Sequence, residues 1–215
     1  MKTYLHSIFI LLFVASLNIA QAEPCKEDVN WVIDLQAKSI GGLSFQSSEK
    51  EVIQHFGKKN TKSTIKTFFK GKRLLATVVY PGTDNELTYF WKDEGKTRCF
   101  EIAVSAQSER WKTAEGIRVG TTLSELNRAN GNPFEYAGFD WTYGGTVSNW
   151  QGGKLPNWFK PVLASADEKF TIAHRGRRFF QSDASSQSES QMMVKSFRII
   201  VGWENRREFS TLDSE

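Results

Sequence analysis

Apolar and polar residues alternate in short runs along much of the chain, the pattern typical of half-buried β-strands. In the first half these runs are separated by turn signals that contain glycine or proline, which predicts an antiparallel meander. Behind a lead-in strand at Trp31–Leu35, the runs are Thr64–Phe69, Arg73–Tyr80, Glu86–Lys92 and Arg98–Ala106. In the second half the pattern predicts strands at Lys160–Ser165, Phe170–Arg175 and Phe197–Val201.

Two segments interrupt this pattern with the signals of a short helix. Gly42–Gly57 and Gly116–Gly131 match at a constant offset of 74 residues (116 − 42). In each, a hydroxyl residue at the N-cap, Ser48 or Thr122, is followed three residues later by glutamate, which predicts a capping box. A glycine closes each segment, where it suits the left-handed end of a helix. We therefore predict two helices of about two turns each and interpret the segments as an internal repeat.

The repeat predicts an α+β fold made of two tandem units. Each unit is a short capped helix followed by an antiparallel β-meander, with the helices on one face of the sheet. Residues 23–106 form the first predicted unit, together with an N-terminal arm. Residues 107–215 form the second, which carries a Ser-rich loop at Gln181–Gln191 and a frayed tail after Glu204.

Residues 1–22 have the pattern of a secretory signal peptide. Lys2 supplies the positive charge, Ile8–Ala15 the apolar stretch and Ala20–Ala22 the small-residue cleavage motif. The apolar stretch is shorter than the ~20 residues that a membrane-spanning helix needs. We therefore predict cleavage before Glu23 and a periplasmic or secreted bacterial protein.

The 215 residues are 40% apolar, 24% charged and 13% aromatic, the balance of an ordinary soluble globular protein. The formal net charge of +4 is too small to indicate nucleic-acid binding.

Two cysteines are too few for a disulfide-dense scaffold, but in an oxidising compartment a single pair most often forms a bridge. We predict a Cys25–Cys99 disulfide. The alternative, a redox or nucleophilic thiol, is less favoured because the chain has no Cys-x-x-Cys motif.

The segment Asn132–Leu155 combines aromatic residues with two Gly-Gly pairs. Exposed aromatic rings flanked by glycine can stack on sugars or hold a peptide. On this hypothesis Trp141, Tyr143 and Trp150 are binding anchors for a protein or glycan partner. The competing interpretation is that Phe139, Trp141 and Tyr143 alternate along a strand and line its core face. Trp150 lies outside that alternation and is the better candidate.

A second candidate surface is the basic run from Lys58 to Arg73, which contains seven cations and no acid. It predicts a weak contact with an anionic surface, such as lipopolysaccharide, phospholipid or an acidic partner. The alternative is a solvated hairpin whose Ile65, Phe68 and Phe69 face inward. The cations are Lys58, Lys59, Lys62, Lys66, Lys70, Lys72 and Arg73.

Residues suited to catalysis are sparse. Beyond the predicted signal peptide the sequence has only His55 and His174, which excludes a multi-histidine metal site, and it has no cofactor motif. The favoured prediction is a non-enzymatic envelope protein that binds a protein or glycan. The alternative is an envelope hydrolase in which Asp140 pairs with Asp167 or Glu168 as catalytic carboxylates.

The stretch Ser108–Leu155 contains the pattern GTTLxELxxxNGxPFxxxGFxWxYGGTVxxWxGGKL. It resembles an uncharacterised family of bacterial secreted proteins and lipoproteins, and the resemblance extends over most of the chain after residue 22, including Ser182 and Asp183. Members of that family often carry an acid at the position of Thr142. The resemblance implies no activity and no site residues. At the level of fold alone, the repeated unit is similar to the β-lactamase inhibitor protein and to small outer-membrane assembly lipoproteins.

Overall fold

The computed structural model describes residues 29–68, 71–182 and 191–202. The predicted signal peptide, Cys25, Lys70, most of the Ser-rich segment and the tail after Gly202 lie outside these residues. The described chain is 39% strand and 16% helix. Its helices are α1 Glu49–Phe56, α2 Leu123–Asn130 and α3 Glu168–Ala173, with a 3-10 turn at Lys58–Asn60.

The strands of the described chain form three sheets. In chain order they are β1 Val32–Asp34, β2 Ser39–Ile40, β3 Leu43–Ser44, β4 Thr61–Thr67, β5 Arg73–Val79, β6 Leu87–Trp91, β7 Cys99–Val104, β8 Lys112–Thr113, β9 Glu135–Ala137, β10 Val147–Asn149, β11 Phe159–Ser165, β12 Phe179–Gln181 and β13 Met192–Ile200. The main sheet is antiparallel, with the order β11-β13-β7-β6-β5-β4. A sheet of order β3-β2-β1-β8 contains the parallel pair β1/β8, and a three-stranded sheet has the order β10-β9-β12.

The larger core lies on one face of the main sheet. Cross-strand pairing places Tyr89 on this face between Thr77 and Ile102, and all three are fully buried. Helices α1 and α2 pack their apolar residues into the same cluster, together with side chains of both small sheets. Burial of large apolar side chains is the dominant stabilising term in such a core, at ~1.5–3 kcal/mol for each.

Both predicted helices and both capping boxes are confirmed. At α1 the Ser48 hydroxyl accepts the N–H of Glu51, and the Glu51 carboxylate accepts the N–H of Ser48 at 2.8 Å. Thr122 and Glu125 repeat this arrangement at α2, with the return bond at 2.9 Å. Gly131 ends α2 in the predicted left-handed conformation, at φ 81°. The glycine after α1 instead combines a positive φ with an extended ψ and leads into the 3-10 turn.

A polar network at the first residue of α1 holds this helix on the main sheet. The Glu49 carboxylate accepts hydrogen bonds from Ser63 and from Thr77 at 2.6 Å, and Lys96 Nζ lies 2.9 Å from it. The Thr77 hydroxyl in turn accepts the indole N–H of Trp91 at 3.0 Å. Burial raises the pKa of Glu49, but the hydrogen bonds and the Lys96 charge outweigh it. The pKa therefore lies below its ordinary value.

The predicted α+β fold of two tandem helix-plus-meander units is wrong, because the described chain is mostly β and folds into three sheets. The first meander is present, as β4 to β7. After α2, however, the chain builds β9 and β10 of a separate small sheet, and only β11 and β13 return to the main sheet beside β7. Capping signals recur because they are local, whereas strand pairing depends on contacts distant in sequence that a repeated helix start does not specify.

The predicted strand Phe170–Arg175 is also wrong, because its first four residues belong to α3. The Asp167 side chain begins this helix by accepting the N–H groups of Lys169 at 2.9 Å and Phe170 at 3.2 Å. One turn later the His174 ring stacks on Phe170, with ring centroids 3.8 Å apart, the contact expected four residues apart on a helix. The other two strands predicted in the second half are confirmed as β11 and β13.

Candidate functional site

Residues 150–155 of the aromatic–glycine segment fold around the last residue of α2. The buried Asn130 side chain donates to the carbonyls of Asn132 at 2.8 Å and Trp150 at 3.0 Å, and it accepts the N–H of Leu155 at 3.2 Å. A Cβ placed on Gly153 would lie 2.2 Å from Asn130 Oδ1, so the close approach requires glycine here. The second Gly-Gly pair therefore closes a loop onto a helix end.

Trp150 belongs to this inward-folded loop and is 1% exposed. Its indole N–H donates to the Phe159 carbonyl at 3.1 Å, and its ring stacks on the Phe159 ring and meets Phe134 edge-on. The prediction that Trp150 is a binding anchor is wrong, since a side chain buried to this degree offers no surface to a partner. The lack of alternation around it reflects the loop that wraps Asn130, not an exposed position.

Residues 138–145 form a second loop, which we call the aromatic loop. Its end glycines fit against neighbouring backbone: a Cβ on Gly138 would lie 2.7 Å from the His174 carbonyl oxygen, and one on Gly145 would lie 2.2 Å from that of Leu163. The N–H of Leu163 also donates to the Gly145 carbonyl at 2.8 Å. The loop is therefore seated between the α3–β12 connection and β11.

Trp141 and Tyr143 lie in the aromatic loop, and both are half-buried. Their rings meet edge to face, with centroids 5.3 Å apart and an interplanar angle of 78°. The Trp141 indole N–H donates to the Gly138 carbonyl at 2.6 Å. The loop forms turns and not a strand, so the alternating-strand interpretation fails for these two residues, although Phe139 beside them is buried.

A carboxylate and a cation border this aromatic pair. Asp140 adopts a left-handed φ of 62° and forms an ion pair with Arg175 of the α3–β12 connection. Both side chains are about half exposed, at 50% and 54%. Thr142, between the two aromatic residues, is exposed. The structure thus brings Trp141, Tyr143 and Asp140 together and leaves Trp150 out.

Sequence reasoning missed the apolar side chains that α3 and β12 expose. Phe179 of β12 is 56% exposed and Ile172 of α3 is 48% exposed. The Arg178 guanidinium lies over the Phe180 ring, 4.9 Å from its centroid, in a cation–π contact. The run RGRRFF, residues 175–180, mixes cations and aromatic residues and was the signal that could have indicated this surface.

The carboxylates of the hydrolase alternative have separate structural partners. Asp140 pairs with Arg175, whereas Asp167 caps α3. Glu168, in the first turn of α3, is exposed. Within the described residues, histidine, cysteine and acidic side chains do not gather in a group of three or more that could hold a metal ion.

The basic run lies along β4 and the hairpin that joins it to β5. Lys66 pairs with Glu86, and Phe68 packs edge-on against Phe90 with ring centroids 5.0 Å apart. Ile65, by contrast, is 51% exposed, so the expectation that it faces inward is wrong. The other described cations of the run are exposed: Lys58, Lys59, Lys62, Lys72 and Arg73.

Cys99 is buried in β7, where its thiol donates to the Glu101 carbonyl at 3.4 Å. Burial raises the pKa of this thiol far above its ordinary value, which disfavours the thiolate that a redox or nucleophilic role needs. The predicted partner, Cys25, lies outside the described residues, so the disulfide stays a prediction.

The helices in the described part of the chain are too short and too polar for any of them to cross a membrane. Comparisons with protein-family models, with curated proteins and with solved structures give no significant match. The resemblance to a family of bacterial secreted proteins therefore stays a hypothesis, and the function is inferred from the residues themselves.

Proposed function

We propose that this chain is an exported, non-enzymatic envelope protein that binds a protein or glycan partner through the aromatic loop. Export is based on the signal-peptide pattern of residues 1–22. The observation that carries the binding proposal is the pair of half-buried rings, Trp141 and Tyr143, in a loop whose backbone is fixed on both sides. Large aromatic side chains with accessible area contribute most of the energy in many interfaces.

The loop is already ordered for binding. The N–H of Phe139 donates to the His174 carbonyl at 2.7 Å, and the N–H of Gly176 returns to the Phe139 carbonyl at 2.9 Å. Because Trp141 already has a hydrogen-bond partner in Gly138, no indole N–H is lost to burial when a partner covers the ring. A preordered loop loses little conformational entropy on association.

The Asp140–Arg175 pair supplies polar recognition beside the rings. Each side chain is about half exposed, so a carboxylate acceptor and a planar guanidinium donor lie next to the aromatic surface. Sugar hydroxyls and peptide groups both present donors and acceptors that such a pair can meet. This combination of ring surface and paired polar groups supports a binding role.

The test begins with a pull-down from the native envelope, using the protein purified after export, and with a glycan array. For the partner recovered, we expect Trp141→Ala to raise the dissociation constant about tenfold or more, as loss of an interface anchor does. Tyr143→Ala should act in the same direction. Thr142→Ala, an exposed neighbour in the same loop, is the matched control and should bind within about twofold of the parent.

Circular dichroism melting separates binding from folding in these variants. Since the ring of Trp141 is only half-buried, Trp141→Ala should keep a melting temperature close to that of the parent. Parental affinity in both Trp141→Ala and Tyr143→Ala would contradict the proposal. Equal loss of affinity in Thr142→Ala would show that the rings are not the anchors.

A further inference from the structure

The outer strand of the main sheet, β4, carries backbone groups that the described elements do not use. Among the described residues β4 pairs on one side only, with β5. At its two ends, the N–H of Tyr80 donates to the Asn60 carbonyl at 2.7 Å and that of Phe68 to the Lys72 carbonyl at 2.6 Å. Antiparallel pairs alternate between bonded and non-bonded, so the even-numbered residues of β4 bond to β5. The N–H and C=O of Ser63 and Ile65 therefore point to the free edge.

Exposed cations lie toward both ends of this edge. Lys58 and Lys59 lie in the 3-10 turn at one end and Lys62 lies in β4 near that end. At the other end, Lys72 lies in the β4–β5 turn and Arg73 is the first residue of β5, opposite Thr67. Within the described chain no ion pair involves these five side chains; the sixth described cation, Lys66, is neutralised by Glu86. A strand of this length spans about 23 Å.

We infer that β4 is a docking edge for an extended acidic segment of a partner protein, which adds to the main sheet as a further strand. The outward N–H and C=O groups of Ser63 and Ile65 pair with its backbone, and its carboxylates lie against the five cations. Ile65, 51% exposed, supplies an apolar contact in the middle of the edge. This surface is separate in sequence from the aromatic loop and goes beyond the proposed function.

The same features disfavour other occupants. A second copy of β4 would bring five cations against five, and lysines on an edge strand are a known device against self-pairing. An anionic membrane would attract the cations but would leave the outward backbone groups of Ser63 and Ile65 without partners, because lipid headgroups cannot extend a β-ladder. The positive charge therefore favours an acidic partner, and the unpaired strand edge favours a partner segment in the extended conformation.

The test uses a blocked heptapeptide of alternating glutamate and valine, with the lysine–valine heptapeptide as its counterpart. Titration of the 15N-labelled protein should show binding of the acidic peptide alone, with slowed hydrogen exchange at the amides of Ser63 and Ile65. The double variant Lys62→Glu/Lys72→Glu should raise the dissociation constant about tenfold. Lys50→Glu, which reverses an exposed charge on α1, is the matched control and should stay within about twofold.

A backbone variant tests strand addition separately from charge. Ile65→Pro removes an outward N–H and leaves the β4–β5 hydrogen bonds in place, so it should abolish peptide binding, whereas Ile65→Thr keeps the N–H and should retain it. If Ile65→Pro disturbs folding, exchange protection at Ser63 and Ile65 in the parent decides instead.

Three outcomes overturn the inference: no binding of the acidic peptide, undiminished binding to a folded Ile65→Pro variant, or binding without exchange protection at Ser63 and Ile65. Phosphatidylglycerol vesicles test the membrane alternative. If the vesicles bind through Lys62 and Lys72 and displace the acidic peptide, the surface is a membrane contact and the inference is overturned; if the peptide stays bound in their presence, the inference is supported. Trp141→Ala should leave peptide binding unchanged, so this inference and the proposed function can fail independently.

Discussion

Helices α1 and α2 begin with the same capping box and have the same length, yet they are anchored at opposite ends by different chemistry. At α1 the anchor is the first residue, Glu49, whose carboxylate is held by Ser63, Thr77 and Lys96 on the main sheet and its connections. At α2 the anchor is the last residue, Asn130, whose neutral amide binds the backbone of the following loops.

This difference shows how far a repeated sequence pattern reaches. The cap specifies where a helix begins, because it satisfies N–H groups within the same few residues. The anchor specifies what the helix packs on, and its partners lie 14 to 47 residues away for Glu49. Helices α1 and α2 therefore have the same start and the same length but pack in different surroundings. This is why the repeated sequence did not produce two equal structural units.

The largest effect is expected at the neutral anchor. Asn130→Ala removes three hydrogen bonds from a buried position: the amide no longer donates to the carbonyls of Asn132 and Trp150, and the buried N–H of Leu155 loses its acceptor. We expect a loss of about 3 kcal/mol in the free energy of unfolding. Urea denaturation measures it. Asn132→Ala, which removes an exposed side chain with one long hydrogen bond of 3.4 Å, is the control and should change stability little. Equal losses in the two variants would mean that Asn130 does not anchor α2.

The loop of residues 150–155, which packs on Asn130, contains two adjacent glycines, Gly152 and Gly153, that can be compared. Gly153→Ala places a Cβ against the buried Asn130 amide and should cost about 2 kcal/mol through overpacking. Gly152→Ala meets open space and has only its left-handed φ of 72° to strain, at about 1 kcal/mol. In the double variant Asn130→Ala/Gly153→Ala the collision is absent, so the combined loss should be less than the sum. Strict additivity would contradict the packing described for residues 150–155.

The charged anchor of α1 predicts a pH dependence that α2 lacks. The pKa of Glu49 is lowered in the folded protein, so its contribution is present above the ordinary carboxyl value of 4.5 and is lost as the pH falls through the folded pKa. Glu49→Gln should therefore destabilise by about 1.5 kcal/mol at pH 7, the worth of a charged hydrogen bond. The difference from the parent should shrink in acid.

Urea midpoints at pH 7 and pH 3 measure this effect. Glu94→Gln, a substitution at an exposed carboxylate in the β6–β7 connection, is the control and should follow the parent at both values. A Glu49→Gln deficit that is constant across this range would show that shape, and not charge, holds α1 on the sheet.

The same contrast separates what the sequence could predict from what it could not. Local signals were sufficient for α1, α2 and the meander β4–β7, since caps, turns and alternation act within a few residues. Of the two small sheets only the lead-in strand was predicted, and it is present as β1. The other strands of these sheets have two or three residues, such as β2 and β8, and are too short to show a period.

The candidate site shows the same limit. Trp141 and Trp150 have similar neighbours in the sequence, with a Gly-Gly pair following each, yet one is half-buried in a surface loop and the other is 1% exposed. Their difference depends on Asn130, which draws residues 150–155 inward, and on Leu163, against which Gly145 packs. Neither contact has a signal within the segment itself, so the sequence ranked Trp150 as the better anchor although it is the buried one.

The smallest effects are expected at the caps, and there the two helices should behave alike. Ser48→Ala and Thr122→Ala each remove one capping side chain and should each cost about 1 kcal/mol. The pKa of Glu51 is lowered by its bonds to the Ser48 hydroxyl and N–H, and that of Glu125 by its bonds to the Thr122 N–H and hydroxyl. Loss of either hydroxyl should therefore move the pKa of the matching glutamate upward toward 4.5 in an NMR titration. If one cap variant lost markedly more stability than the other, the contribution of the cap would depend on the anchor of its helix, Glu49 or Asn130. The conclusion that the cap and the anchor act independently would then be wrong.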